Sequence, residues 1–364
     1  MSWIGLTDLN VTSFDQTGIG AHTQFPFDVP KDGLLPTGSL IFEMTFSARY
    51  RVPQRILRYE HRDGWERYLS VAITAEGALS VDMRQGEAQS HAQLTMPPPP
   101  QDTRLRITYS WDAPGRRALL TVEDLDQGLL YQSEMAAPIP LPLIDAYHII
   151  KNGPLTRIGR DTRFIAISDK VEPVGLMLGV AKGTPVETPT GPQFVDRLRL
   201  GDLVTTGSGV PQPVRWIIKR EVPMLGRFRP VRLRAPYYGL TRDIFCAPDH
   251  RIMLTGAEAE YLFGESHVLV EAMHLVDGKS VLREHASESS MWYYHILLDS
   301  HECLKYAGLW GESLFVGAIG RSQDLIATTP LADMPFSALP RHTRFALPIL
   351  SGLESTSLVQ ARSA

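Results

Sequence analysis

The chain has 364 residues, 43% of them apolar and 21% charged, with a formal net charge of −4 at pH 7. A slightly acidic chain gives no electrostatic reason to bind nucleic acid or an anionic membrane, and no apolar run approaches the roughly 20 residues of a membrane span. The length predicts two domains rather than one core. Its two cysteines, Cys246 and Cys303, exclude a disulfide framework and a cysteine-rich zinc site.

The N-terminal stretch MSWIGLTDLNVTSFDQ lacks a basic segment followed by an apolar one, so no conventional signal peptide is expected. The protein would then be cytoplasmic or exported by a route that needs none. From there to about residue 170 the pattern is that of strands. In SLIFEMTFSA, Leu40, Phe42, Met44 and Phe46 alternate with Ile41, Glu43, Thr45 and Ser47. In RLRITYSW, Leu105, Ile107, Tyr109 and Trp111 share one face and Arg104, Arg106, Thr108 and Ser110 the other. YLSVAITAEGALSVDM is two alternating runs joined through Glu76-Gly77, a hairpin pattern. ALLTVEDL and RFIAIS continue the series, punctuated by DAPG and PPPP, and helical periodicity is hard to find. Many short strands with regular turns predict an antiparallel β-sandwich over residues 1–170 and an all-β protein.

This first region resembles the jelly-roll sandwiches of laminin-G-like and concanavalin-like lectin domains in the strand, turn, strand order of SWDAPGRRALLTVEDLDQG. The resemblance is one of pattern, without a diagnostic motif. It implies a rim able to bind a glycan or a protein ligand, with Trp65 and Tyr68 as candidate lining residues. The same residues also suit a solvated loop and core edge, and a fold does not carry function by itself.

DKVEPVGLML, residues 169–178, reads as the junction. After it come shorter strands broken by Gly-Asp turns and polar loops: LRLGDLVTT around Gly201-Asp202, then PVRWIIKREV and CAPDHRIMLTG. Residues 318–364 form a proline-containing tail with enough apolar residues to pack back onto the second domain.

Three ordered blocks within 179–317 resemble the Hint module of Hedgehog autoprocessing domains and inteins, and specifically its bacterial subgroup. The first runs from Gly179-Val180-Ala181-Lys182-Gly183-Thr184 through PVETPTG and VDRLRL to Gly201-Asp202-Leu203-Val204. The second is Ala247-Pro248-Asp249-His250 followed by RIML, and the third is YYHILLDSHECLKYAGLWGESL with His295, His301, Gly308 and Glu312-Ser313. The resemblance implies self-cleavage by an N→S acyl shift. A first-position cysteine attacks the preceding carbonyl, and the histidine of the second block protonates the leaving nitrogen beside a Ser or Thr.

The chain departs from that pattern where the chemistry starts. Gly179 stands at the position of the nucleophilic cysteine, Ala247 replaces the hydroxyl residue, and no Asn followed by Cys, Ser or Thr closes the module. The leading expectation is therefore a binding or presentation protein whose Hint fold has lost self-cleavage, and Gly179→Cys is expected to restore some of it. One alternative is residual cleavage near Leu178-Gly179 by Cys303, Cys246 or water. Another is a carbohydrate- or metal-binding protein.

Among individual residues, His250 is the candidate proton donor. His295 and His301, six positions apart, are expected on one strand face. A His pair with His250 could hold a metal, but an acid/base cluster is the preferred reading, with no metal or cofactor expected. Cys303 and Cys246 read as small apolar core residues. Thr184 could align a carbonyl, and Ser313 reads as a turn or cap.

Overall fold

In the computed structural model, residues 3–8, 10–20, 33–62, 64–287 and 289–363 are described, and two compact units emerge. The first comprises 1–174 with the short segment Leu225–Arg227, and the second comprises Gly175–Met224 and Phe228–Ala364.

The first unit is a sandwich of antiparallel sheets. One has seven strands, in the spatial order Leu129–Ala136, Arg117–Asp124, Thr103–Asp112, Thr37–Phe46, Thr162–Ser168, Trp3–Asp8 and Thr12–Phe14. The other has five, in the order Thr156–Ile158, Gln54–His61, Arg67–Ile73, Ala78–Gln85 and Ala88–Thr95. Alternation produces the core directly. Leu40, Phe42, Met44 and Phe46 meet Leu105, Ile107, Tyr109 and Trp111 from the seven-stranded sheet, with Leu57, Tyr59, Leu69, Val71, Leu79 and Val81 from the five-stranded one. The hairpin through Glu76-Gly77 joins Arg67–Ile73 to Ala78–Gln85 as the pattern predicts.

A helix, Leu143–Lys151, departs from the all-strand reading of this region. It buries Ala146, Ile149 and Ile150 in the sandwich core and is anchored by a polar contact. The buried Asp145 carboxylate accepts from Arg67 Nε at 2.9 and 3.0 Å and from the Tyr59 hydroxyl at 2.6 Å.

The second unit also has two main sheets. In one, the short strand Val180–Ala181 lies between Ser290–Leu297 and Ile244–Cys246, with Trp216–Pro223, Val231–Leu233 and Val281–Arg283 outside them. The other contains Cys303–Tyr306, Leu309–Glu312, Arg251–Thr255 and His267–Glu271 beside two two-residue strands. The Gly201-Asp202 turn works as its composition suggests: Gly201 takes a φ of +88°, which a side chain disfavours, and the Asp202 carboxylate accepts from Arg199 N at 2.9 Å. The tail contributes the helix Gly352–Ser363, Leu358 joins the second unit's core, and Leu350 N donates to Leu269 O at 2.9 Å.

Candidate functional site

The central position of Val180–Ala181 decides the surroundings of Gly179. Val180 pairs with Cys246 on one side and Tyr294 on the other, and Ala247 N donates to Gly179 O at 2.9 Å, extending the first ladder by one bond. On the other side the chain is too close for a side chain. A Cβ on residue 179 would lie 2.9 Å from the Tyr294 carbonyl carbon, 3.0 Å from His295 Cα and nearer still to the Tyr294 oxygen. The sulfur is not merely absent: main chain occupies the space its Cβ would need.

Around this junction lies a closed polar cluster. The turn Ala247-Pro248-Asp249-His250, with His250 N donating to Ala247 O at 3.1 Å, carries the His250 ring into the core of the second unit. That ring packs edge-on against His295 at 5.3 Å and Tyr306 at 5.7 Å between centroids, and among the described residues neither of its nitrogens has a hydrogen-bond partner. Burial, reinforced by the neighbouring His295, lowers its pKa to about 3, so the imidazole is neutral at ordinary pH. His295 is also buried, and burial lowers its pKa. Its Nδ1–H donates to Met177 O at 3.0 Å, leaving Nε2 enclosed and without a hydrogen bond among the described residues.

Glu312 is the anion of the cluster. Its Oε1 accepts from Arg251 N and its Oε2 from Arg251 Nη1, both at 3.0 Å. Burial alone would raise its pKa, but the Arg251 charge and the adjacent His301 overcome that and hold the carboxyl well below the usual range. The ligand atoms of His250, His295 and Glu312 all lie within 4.8 Å of one another.

His301 is placed differently from the sequence reading. The strand bearing His295 ends at Leu297, so His301 belongs to the following turn and not to the same strand face. Its Nδ1 accepts from Ala346 N at 2.9 Å, its Nε2 lies 3.5 Å from Glu312 Oε2, and its ring sits among Phe315, His342 and Phe345. It thus supports Glu312 rather than joining the His250–His295 pair.

The remaining candidates take structural positions. Thr184 Oγ1 donates to Ala181 O at 2.7 Å and closes the turn after the central strand. Ser313 Oγ accepts from Glu302 N at 2.9 Å. Cys303 and Cys246 are both buried and unbridged, and burial pushes the Cys303 thiol up to about 12 and the Cys246 thiol still further. Cys246 is the nearer to the junction, directly opposite Val180. Ala247 offers its backbone alone.

Two members of the cluster were not singled out in the sequence: Arg251 and, as a charge-bearing partner, Glu312. Their signal was available. A single arginine stands between a histidine and the apolar run IML in APDHRIML, and a lone carboxylate interrupts the apolar run LWGESL. Charges in such runs are rarely fully buried unless paired.

In the first unit, the outer face of the five-stranded sheet carries a shallow concavity of ≈ 450 Å³, lined by Arg58, Glu60, Tyr68, Asp82, Arg84 and His91 among others. Arg58 lies over the Tyr68 ring at 5.6 Å, and His91 Nδ1 is 2.7 Å from Asp82 Oδ1. Trp65 is exposed under Arg67 and is not part of this lining.

Residues 178–318 match the family model of the Hint domain. No curated protein matches the chain. Solved structures with some likeness include the Ruminococcus gnavus IT-sialidase CBM40, at 12% identity and a TM-score of 0.28 over 37% of this chain and 77% of that one. A leech intramolecular trans-sialidase complexed with 2,7-anhydro-Neu5Ac matches at 14% identity and 0.23, over 37% and 21%. A native heptameric SAP-like pentraxin from Limulus polyphemus matches at 8% and 0.21, over 37% and 52%.

Proposed function

We propose that the second unit is a Hint fold that no longer cleaves itself, and that the chain acts as a binding or presentation protein. The observation that carries this is the Tyr294 main chain in the space of a residue-179 side chain. Two further features support it: Ala247 has no hydroxyl, and both thiols are buried with raised pKa values, so neither is a thiolate at neutral pH. His250 is poised as a neutral imidazole, yet a proton relay without its nucleophile supplies little rate, because such groups act as a unit.

Intact mass after long incubation with a thiol tests the reading. The wild type should keep its full mass, and a fragment ending at Leu178 would sink the proposal. Sequence alone favours partial rescue by Gly179→Cys; the geometry favours a different result. Gly179→Cys and Gly179→Ala should both lose about 1–3 kcal/mol of stability, since the Cβ they share is overpacked, and neither should release a fragment.

A second reading rests on the concavity of the first unit. A tyrosine ring flanked by Arg58, Glu60, Asp82 and Gln89 combines a flat apolar face with donors and acceptors, which suits a sugar ring. Calorimetric titration with glycans, comparing wild type and Tyr68→Ala, tests it.

A further inference from the structure

We propose that His250, His295 and Glu312 form a binding site for a divalent transition-metal ion of the zinc type, buried within the second unit. The proposal does not depend on the loss of self-cleavage, and it uses a donor set different from the three histidines the sequence suggested.

Three observations converge. The first is enclosure: both His250 nitrogens and His295 Nε2 are buried and make no hydrogen bond among the described residues. Buried polar atoms are nearly always paired, and exceptions need a physical reason such as an ion that belongs there. The second is orientation. His295 Nδ1–H donates to the Met177 carbonyl at 3.0 Å, which fixes the tautomer and turns the Nε2 lone pair inward. Metal-bound imidazoles are held by this same kind of second hydrogen bond. The third is proximity to an anion: Glu312 is fully buried beside the two rings, with one donor atom of each residue within 4.8 Å of the others.

The chemistry of the donors selects the ion. Two imidazoles and one carboxylate suit zinc and its neighbours, whereas calcium and magnesium take oxygen ligands. Ligand atoms in a tetrahedral zinc site are about 3.4 Å apart, given bonds of about 2.0–2.1 Å. The cluster, whose donor atoms lie within 4.8 Å of one another, would contract on binding the ion. Gly311 borders His250 Nε2 without a side chain of its own, and a Cβ there would come to 3.0 Å. A water would complete the coordination. Arg251 shares the Glu312 carboxylate and balances its charge in the ion-free state.

The test uses the full chain, stripped with a chelator and dialysed to equilibrium against Zn²⁺ or Co²⁺. One equivalent should bind, with the intense visible bands of four-coordinate cobalt. At one equivalent of Co²⁺, the ring resonances of His250 and His295 should shift or broaden first in the wild type, a readout that needs no variant to fold. His250→Leu and His295→Gln should each weaken binding by at least roughly 10–100-fold, since even outer-shell partners of metal sites cost that much. Alanine at the exposed His91, His267 and His285, or Cys303→Ser, should leave it unchanged. The proposal is overturned if the wild type retains no stoichiometric ion, or if binding survives both His250→Leu and His295→Gln. Loss of the ion in the surface-histidine variant or in Cys303→Ser would overturn it as well, by placing the donors elsewhere. Intact mass is read separately, so failure here leaves the cleavage result standing.

Discussion

In the first unit the buried Asp145 carboxylate is met by Arg67 at 2.9 and 3.0 Å and by the Tyr59 hydroxyl at 2.6 Å, while in the second unit the equally buried His250 has no partner at either nitrogen among the described residues. Both are polar groups inside β folds of similar construction, so burial alone does not separate structural from functional residues. Pairing does. Asp145 ties a helix to a sheet and has its bonds made, which is the arrangement expected of a group kept for stability. His250 is left with unused bonding capacity, and it lies beside His295 and Glu312 in the segment that matches the Hint domain.

The largest effect that would sharpen this contrast is expected at Arg67. Truncating it leaves Asp145 buried with only the Tyr59 hydroxyl, and removing one member of a buried ion pair costs about 3–5 kcal/mol. Arg67→Ala should lose that much in urea unfolding, read by hydrogen exchange in the strand Gln54–His61. A loss below about 1 kcal/mol would show that the pair is solvated in practice, and the contrast between the units would fail at its first term.

How far this was legible in the sequence follows from which interactions are local. Alternation places Leu40, Phe42, Met44 and Phe46 on one face whatever their partners are, so the sandwich core could be read directly. The helix Leu143–Lys151 could not: it is nine residues long, follows the proline-rich PIPLP, and its buried positions are few. His250 was recognisable from its block. The closure over Gly179 was not, because it comes from the pairing of Val180–Ala181 with Tyr293 and Tyr294, more than a hundred positions away. Likewise, the separation of His301 from His295 depends on where one strand stops.

Acid should distinguish the units next. Burial lowers the folded-state pKa of His250 to about 3, and those of His295 and His342 are lowered as well. Such groups bind protons more readily when unfolded, so the stability they leave intact at neutral pH is lost as pH falls below the unfolded histidine value of about 6.5. His250 alone would withdraw about 2 kcal/mol by pH 5, at about 1.4 kcal/mol per pH unit. Glu312, whose folded pKa is lowered, adds its loss only as pH falls below the usual carboxylate range. Among the described residues of the first unit, burial lowers one histidine this way, the partly exposed His148. Amides in Ser290–Leu297 should therefore lose protection between pH 7 and 5 before those in Thr37–Phe46. Equal loss in both units would count against the burial of the cluster in solution.

The smallest effect is expected at His250 itself. Replacing Asp145 or Arg67 removes hydrogen bonds that exist, but His250→Leu removes a ring that makes none among the described residues, and leucine has a similar volume. A buried polar group without a partner costs roughly 1–3 kcal/mol of desolvation, and an apolar group of the same shape recovers it. Against this stands an imperfect fit beside Tyr306, His295 and Gly311, of about 1 kcal/mol for a volume-conserving swap. The two nearly cancel, so ion-free His250→Leu should lie within about 1 kcal/mol of the wild type at pH 7. At pH 5 it should be the more stable of the two by about 2 kcal/mol, because the proton linkage of His250 is gone. Chemical unfolding of chelator-treated protein at both pH values gives the comparison. A loss above about 2 kcal/mol at pH 7 would mean that His250 has a tightly held partner even without metal, an ordered water bridging it to His295 or Glu312. The contrast with Asp145 would then be one of solvent-mediated against direct pairing.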